Sequence, residues 1–142
     1  MNSIDVKFTI TAKRTLKAIE AGYPIIVNEG GARSGKSFGI IQILIYLATR
    51  RKLRISIVSH SLPHIKRGAY RDFRLIMEQW NLWDDNCFSY TEFVYTFKNG
   101  SYIELFGLED EGKARGPGRD ILFINEANLI SRLLFDQLAM RT

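Results

Sequence analysis

Residues 30–37 are Gly30-Gly31-Ala32-Arg33-Ser34-Gly35-Lys36-Ser37, and they fit the phosphate-loop pattern G-x-x-x-x-G-K-[ST]. The segment before them, Ile25-Ile26-Val27, is short, apolar and β-branched, which predicts a buried strand. Residues 38–48 after the loop are long and apolar enough for a mostly buried helix. A strand, a glycine-rich loop and a helix in this order are the context in which the pattern predicts a nucleotide site.

The residue types in this loop suit a phosphate. Glycines adopt backbone angles that side chains forbid, so that consecutive N–H groups can surround the anion. The N-terminus of the following helix adds positive potential. We therefore predict that all eight residues bind the nucleotide, that Lys36 reaches its β- and γ-phosphates, and that the Ser37 hydroxyl joins a Mg²⁺ shell. The alternative is a glycine turn that only caps a helix.

Length and composition are those of one domain. A chain of 142 residues can bury a real core, and 46% hydrophobic and 25% charged residues are ordinary values. Cys87 is the only cysteine, which excludes an intramolecular disulfide and favours a reducing cytosol. The longest apolar run, residues 38–48, is too short to span a bilayer, and the N-terminus lacks the apolar core of a signal peptide. We expect a soluble intracellular protein without a membrane partner.

The net charge of +5 is unevenly distributed. Residues 1–74 hold 14 lysines and arginines and 4 acidic residues, whereas residues 75–142 hold 6 and 11. A basic half favours a polyanion nearby, either nucleotide or nucleic acid. A solvated surface explains the same charges equally well.

Helical and extended patterns alternate along the first half of the chain. We predict a helix within residues 11–22, a helix from Lys36 to about Arg50, and a strand at Arg54–Ser59. A further helix is predicted from about Pro63 to Trp80, with Trp80 and Trp83 packing at its end. Its inward side chains are Ile65, Tyr70, Phe73, Ile76 and Met77. The residues that make its other side basic are Lys66, Arg67, Arg71 and Arg74.

The second half contains a strong hairpin signal. Two β-rich runs, Phe93–Lys98 and Ser101–Phe106, flank Asn99-Gly100. Residues 107–119 then form a polar, glycine-rich segment without apolar periodicity, which predicts a functional loop between firm strands.

Residues 120–127, Asp120-Ile121-Leu122-Phe123-Ile124-Asn125-Glu126-Ala127, predict a central strand that ends in a polar pair. Ligands of open parallel sheets bind beyond the carboxyl ends of the strands, which places Asn125 and Glu126 beside the phosphate loop. A carboxylate there can deprotonate the water that attacks a γ-phosphate. The alternative role for Glu126 is to cap the next helix.

Taken together, these stretches resemble the large terminase subunit of tailed bacteriophages, the motor that packages DNA into proheads. The resemblance rests on the loop at residues 30–37, the hairpin at 93–106, Arg115-Gly116 and residues 121–127, and covers the chain from about residue 8. It implies an α/β fold: a P-loop NTPase of the additional-strand, catalytic-glutamate type, with a mostly parallel sheet, flanking helices and an inserted β-hairpin.

The resemblance also implies roles for individual residues. Lys36 and Ser37 bind phosphate and Mg²⁺, and Glu126 is the general base. Arg115 would be offered to the ATP of a neighbouring subunit, and Arg33 would contact the γ-phosphate. An arginine in either position stabilises the transferring phosphoryl group and can be worth about 10³–10⁵ in rate.

Two features depart from the family pattern. Asn125 stands where the family usually has an aspartate that holds Mg²⁺ through water, and a neutral amide is a weaker partner for the cation. The chain also ends at Thr142, one predicted helix after this strand. We therefore expect residues 1–142 to form the N-terminal part of an ATPase domain, incomplete at its C-terminal side, without the coupling motif and without a nuclease domain.

The leading hypothesis is a domain that binds ATP and Mg²⁺ and hydrolyses ATP to drive packaging of double-stranded DNA. The implied partners are the portal protein, the small terminase subunit and further copies in a pentameric ring, at the prohead in the host cytoplasm. A helicase-like P-loop ATPase is the alternative among enzymes. A module that binds nucleotide or partners without hydrolysis is the alternative of another class.

Overall fold

The computed structural model describes residues 25–28, 36–114 and 118–125. The strands in this part of the chain are β1 (Ile25–Asn28), β2 (Arg54–Ser59), β3 (Phe88–Ser89), β4 (Val94–Thr96), β5 (Tyr102–Gly107) and β6 (Ile121–Asn125). The helices are α1 (Lys36–Arg50), α2 (Leu62–Arg67), α3 (Ala69–Gln79) and α4 (Glu111–Ala114), with a 3₁₀ turn at Asp85–Cys87. The predicted helix within residues 11–22 lies outside the described residues.

All six strands form one sheet in the order β1-β6-β2-β5-β4-β3. β1, β6, β2 and β5 are parallel, and β4 and β3 continue the sheet in antiparallel pairing. The prediction of a mixed, mostly parallel sheet with flanking helices and a hairpin is therefore confirmed. In this sheet β1 pairs directly with β6. The additional strand and the catalytic glutamate of the predicted fold type stay predictions.

The main core lies between one face of the sheet and helices α1, α2 and α3. Alternate strand residues, such as Ile55, Ile57 and Phe123, share one apolar cluster with the buried side chains of these helices. Residues on neighbouring positions of the same strands, such as Val58 and Ile124, are buried on the opposite face. Burial on both faces explains why β6 begins with four apolar residues in a row.

The prediction of one continuous helix from Pro63 to Trp80 is wrong, because the structure has two helices joined at Gly68. The Ser61 hydroxyl caps α2, which begins at Leu62, while Gly68 has φ −116° and ψ −91° and ends it. Glycine is a poor helix former and tolerates this break. The inward face is confirmed: the side chains of Ile65, Phe73, Ile76 and Met77 are fully buried, and Tyr70 is half-buried.

The hairpin at Asn99-Gly100 is confirmed, and its turn is bonded to the end of α1. Gly100 has φ 91°, whereas Asn99 stays at negative φ, so the loop is a turn with a glycine bulge. Asn99 Nδ2 donates to the Ala48 carbonyl at 2.8 Å, and Ser101 Oγ donates to the Arg51 carbonyl at 2.8 Å. Ser101 Oγ also accepts from the Leu53 amide at 2.9 Å.

Aromatic side chains join α3 to the hairpin. Trp83 packs against Phe88 and Tyr95, with ring centroids 5.3 Å apart in both pairs, and the Arg74 guanidinium lies 4.5 Å from its ring. The Tyr95 hydroxyl donates to the Leu82 carbonyl at 2.9 Å, and burial raises its pKa to about 12. The predicted packing of Trp83 at the helix end is thus confirmed.

Replacing Gly107 by alanine should lower the free energy of unfolding by about 1–3 kcal/mol, the usual cost of overpacking. A Cβ at this position would lie 2.4 Å from the Leu62 amide nitrogen and 2.5 Å from the Ser61 carbonyl carbon. Urea denaturation followed by circular dichroism measures the change. Gly112→Ala is the control, because among the described residues its Cβ would meet nothing closer than 3.5 Å. Equal stability of the two variants would contradict the close approach.

Candidate functional site

Three parallel strands end in polar residues at the same edge of the sheet. β1, β2 and β6 end at Asn28, Ser59 and Asn125. Asn28 is paired with Asn125, and Val58 with Ile124, so that Ser59 is next to Asn125 across the strands. This edge is where the sequence predicts the nucleotide site.

Helix α1 begins at Lys36, and Ser37 is its second residue. The Ser37 side chain is only 9% exposed. Other predicted site residues lie outside the described ranges, namely Gly30, Gly31, Ala32, Arg33, Ser34, Gly35, Arg115 and Glu126. Their predicted roles stay predictions.

Asp72 contacts Ser37 from the neighbouring helix. The Ser37 hydroxyl donates to Asp72 Oδ2 at 3.4 Å, and Asp72 lies half-buried in the first turn of α3. Burial raises the pKa of the Asp72 carboxyl, whereas the charge of Arg71 and the bond from Ser37 oppose that rise. Sequence analysis did not single out Asp72. A signal was available, because Asp72 is the one acidic residue of the basic segment 62–74.

Asn125 and Ser59 are both buried on the sheet face that α1 and α3 cover. Asn125 is two residues after Phe123 and is 6% exposed. Ser59 is two residues after Ile57 and is 1% exposed, and the described part of the chain gives its hydroxyl no hydrogen-bond partner. A buried hydroxyl without a partner is costly in a purely structural role.

These side chains fit a magnesium ion by their chemistry. Hydroxyl, amide and carboxylate oxygens are the ligands that a hard divalent cation prefers. No group of three or more His, Cys, Asp or Glu side chains suited to a metal occurs among the described residues. Magnesium in nucleotide sites is usually held by one or two carboxylates together with phosphates, so the arrangement around Ser37 agrees with that pattern.

A second polar network lies on the opposite face of the sheet. Arg119 is 4% exposed; its Nε donates to Ser56 Oγ at 2.9 Å, and its guanidinium donates to the Lys113 carbonyl at 3.1 Å. Ser56 Oγ donates in turn to Glu104 at 2.6 Å. Arg119 therefore ties the start of β6 to the segment that precedes Arg115. The sequence signal for this network was the presence of polar Ser56 and Glu104 between apolar strand residues. The structure pairs these two residues across β2 and β5.

His60 directly follows β2, and His64 lies in the first turn of α2. Their rings pack edge to face with centroids 5.5 Å apart, and His64 Nδ1 shares a 2.6 Å hydrogen bond with the capping hydroxyl of Ser61. The cap contact gives His64 a structural role.

No protein-family model and no curated protein match the sequence. Solved structures do match. The large terminase from a thermophilic bacteriophage superposes with a TM-score of 0.70 at 16% identity, over 96% of this chain. The chain shares the fold of part of a phage large terminase. A structure of the same large terminase in complex with ATP-gamma-S gives a TM-score of 0.68 at 16% identity, and one in complex with ADP gives 0.67 at 13%, each over 95% of this chain.

The likeness covers only part of the phage terminase. This chain spans 36% of the large terminase in the first comparison, and 35% and 36% in the two nucleotide complexes. At such identities the terminase comparison establishes the fold alone. The terminase resemblance predicted from the sequence is confirmed at that level. None of the described helices is long and apolar enough to cross a membrane.

Proposed function

We propose that residues 1–142 form a terminase-like ATPase domain that binds ATP with Mg²⁺ and hydrolyses it. One observation carries the proposal: in a chain with the terminase fold, the start of α1 at Lys36 and Ser37 belongs to a phosphate-loop sequence. The complexes of the thermophilic phage terminase with ATP-gamma-S and ADP support nucleotide as the ligand.

Each residue of the proposed site has a separate task. Backbone amides of residues 30–35 and the Lys36 ammonium bind the phosphates. Ser37 contacts the bound Mg²⁺, and Asn125 contacts it through water; when bound, the cation neutralises charge that develops on the phosphates. Glu126 accepts a proton from the attacking water.

Two arginines complete the proposed site. Arg33 contacts the γ-phosphate of the same subunit, and Arg115 reaches the ATP of a neighbouring subunit. The buried guanidinium of Arg119, which follows Arg115 by four positions, is bonded both to Ser56 in β2 and to the carbonyl of Lys113. These bonds connect Lys113, which precedes Arg115 by two positions, to β2 through Arg119.

The wider role rests on the resemblance and the fold together. We propose that the domain works in a pentameric ring that packages double-stranded DNA at the prohead in the host cytoplasm. Its protein partners there are the portal protein and the small terminase subunit. No nuclease activity is proposed for residues 1–142.

A non-hydrolysing nucleotide-binding module is the second candidate. Asn125 favours it, because a buried amide at the end of β6 carries no charge with which to hold the Mg²⁺ shell. Both candidates bind nucleotide, so binding measurements do not separate them, whereas a measurement of ATP turnover does.

Replacing Lys36 by alanine should weaken binding of Mg-ATP-gamma-S to the 142-residue chain by about 10- to 100-fold, since a charged hydrogen bond is worth about 1.5–3 kcal/mol. Isothermal titration calorimetry measures the affinity. Lys98→Ala is the control, because Lys98 is an exposed lysine in the hairpin turn. Unchanged binding by Lys36→Ala, or no binding by a folded wild-type chain, would refute the proposed site.

A further inference from the structure

The contact between Asp72 and Ser37 joins two helices at the proposed cation site. The two residues are 35 positions apart in sequence, and their side chains meet where α3 packs against α1. Ala69 and Ile76, which are three positions before and four after Asp72, are both fully buried. Asp72 therefore belongs to the packed side of α3, whereas Arg71 beside it is exposed.

We propose that Asp72 is the carboxylate of the magnesium site and supplies the negative charge that Asn125 lacks. This inference rests on the proposed function, because it takes Ser37 as a residue that contacts the cation. Among the described residues, Asp72 is the only carboxylate hydrogen-bonded to Ser37. Ser59 and Asn125, which end β2 and β6, are neutral.

Burial supports a cation as the reason for this arrangement. Placing a carboxylate partly out of water is costly unless charge or hydrogen bonds compensate it. The bond from Ser37 is long at 3.4 Å, so it compensates weakly. The Ser59 hydroxyl, which is 1% exposed and without a described partner, ends β2 on the sheet face that α1 and α3 cover. A hydrated divalent cation beside Ser37 would compensate the Asp72 carboxylate.

A purely structural role makes a different prediction. Asp72 lies in the first turn of α3, where a negative charge is favoured by the helix dipole, and α3 has no side-chain cap at Gly68. If this were its whole role, neutralising Asp72 would lower stability and leave the magnesium dependence of nucleotide binding unchanged.

The test is the affinity of the 142-residue chain for ATP-gamma-S, measured by calorimetry in EDTA and over a Mg²⁺ series. Asp72→Asn should raise the Mg²⁺ concentration for half-maximal tightening by about 10- to 100-fold. Its affinity in EDTA should equal that of the wild type. Mn²⁺ in place of Mg²⁺, followed by electron paramagnetic resonance, gives an independent measure of cation affinity in the presence of ATP-gamma-S.

Glu78→Gln is the matched control, because it removes one negative charge from the same helix. Glu78 pairs instead with Arg74 at 2.9 Å on the exposed side. Adding Asn125→Asp to Asp72→Asn should return the Mg²⁺ requirement toward the wild-type value, which a structural role would not produce. Should Asp72→Asn fold poorly, Asp72→Ser gives a second neutral variant with a smaller side chain.

The outcomes separate this inference from the function on which it rests. A wild-type chain that binds no ATP-gamma-S at any Mg²⁺ concentration overturns both. Normal Mg²⁺-dependent binding by Asp72→Asn and Asp72→Ser overturns the role of Asp72 alone. An equal loss of affinity with and without Mg²⁺ also overturns it, because the defect would then be structural.

Discussion

Replacing Glu126 by glutamine should reduce ATP turnover by about 10²–10⁴-fold, the range for loss of a general base, while Mg-ATP binding is retained. The expectation follows from the end of β6, where Asn125 is the last strand residue and Glu126 comes next. β6 pairs directly with β1, which precedes the predicted phosphate loop in sequence. Glutamine keeps the shape of the side chain but cannot accept the proton from water.

Phosphate release by the 142-residue chain, with calorimetry of ATP-gamma-S binding alongside, measures the effect of Glu126→Gln. Glu92→Gln serves as the control, because Glu92 is exposed in the turn before β4. Equal turnover by wild type and Glu126→Gln would remove Glu126 as the base. A wild-type chain that binds ATP and releases no phosphate would favour the non-hydrolysing module.

Replacing Phe73 by alanine should lower the free energy of unfolding by about 3–5 kcal/mol. Phe73 is fully buried in the centre of α3, and its ring meets Tyr95 and Trp83 edge to face, with centroids 5.9 Å and 6.3 Å away. Its removal would leave a cavity between α3, the hairpin and the residues that join them. Lost transfer energy and the cavity both contribute to the cost.

Urea denaturation followed by circular dichroism tests this expectation for Phe73→Ala. The matched control is Leu75→Ala on the same helix, where the side chain is 45% exposed. That substitution should change stability by less than about 0.5 kcal/mol, as surface changes usually do. A loss below about 1 kcal/mol for Phe73→Ala would mean that the core closes around the missing ring.

The sequence predicts most of the described fold because its signals are local. The apolar length of α1, the change from a helical to an extended pattern at β2, and the Asn-Gly turn each depend on residues that are neighbours in sequence. The break at Gly68 was not predicted, since an isolated glycine is often tolerated inside a helix. What decides it is tertiary, because Ser61 caps α2 while Ile65 and Phe73 are both held in the core.

The candidate site is less accessible to sequence reasoning. Ser37 and Asn125 were predicted because each belongs to a sequence motif. Ser37 lies at the start of a helix, and Asn125 lies at the end of a strand. Asp72 and Arg119 act through partners 35 and 63 positions away, and no local pattern reveals such distances. A lone acidic residue in a basic helix, and polar residues inside apolar strands, were the only hints.

The hydrogen bonds between the hairpin turn and the end of α1 have a mechanical consequence. With 15 residues, α1 is about 22 Å long, and it runs from Ser37 to the carbonyls that Asn99 and Ser101 hold. Because these bonds attach the C-terminal end of α1 to the hairpin turn, α1 moves as a rigid body together with the turn. A rigid-body tilt of α1 that displaces Ser37 would therefore also strain the two hydrogen bonds at the hairpin turn.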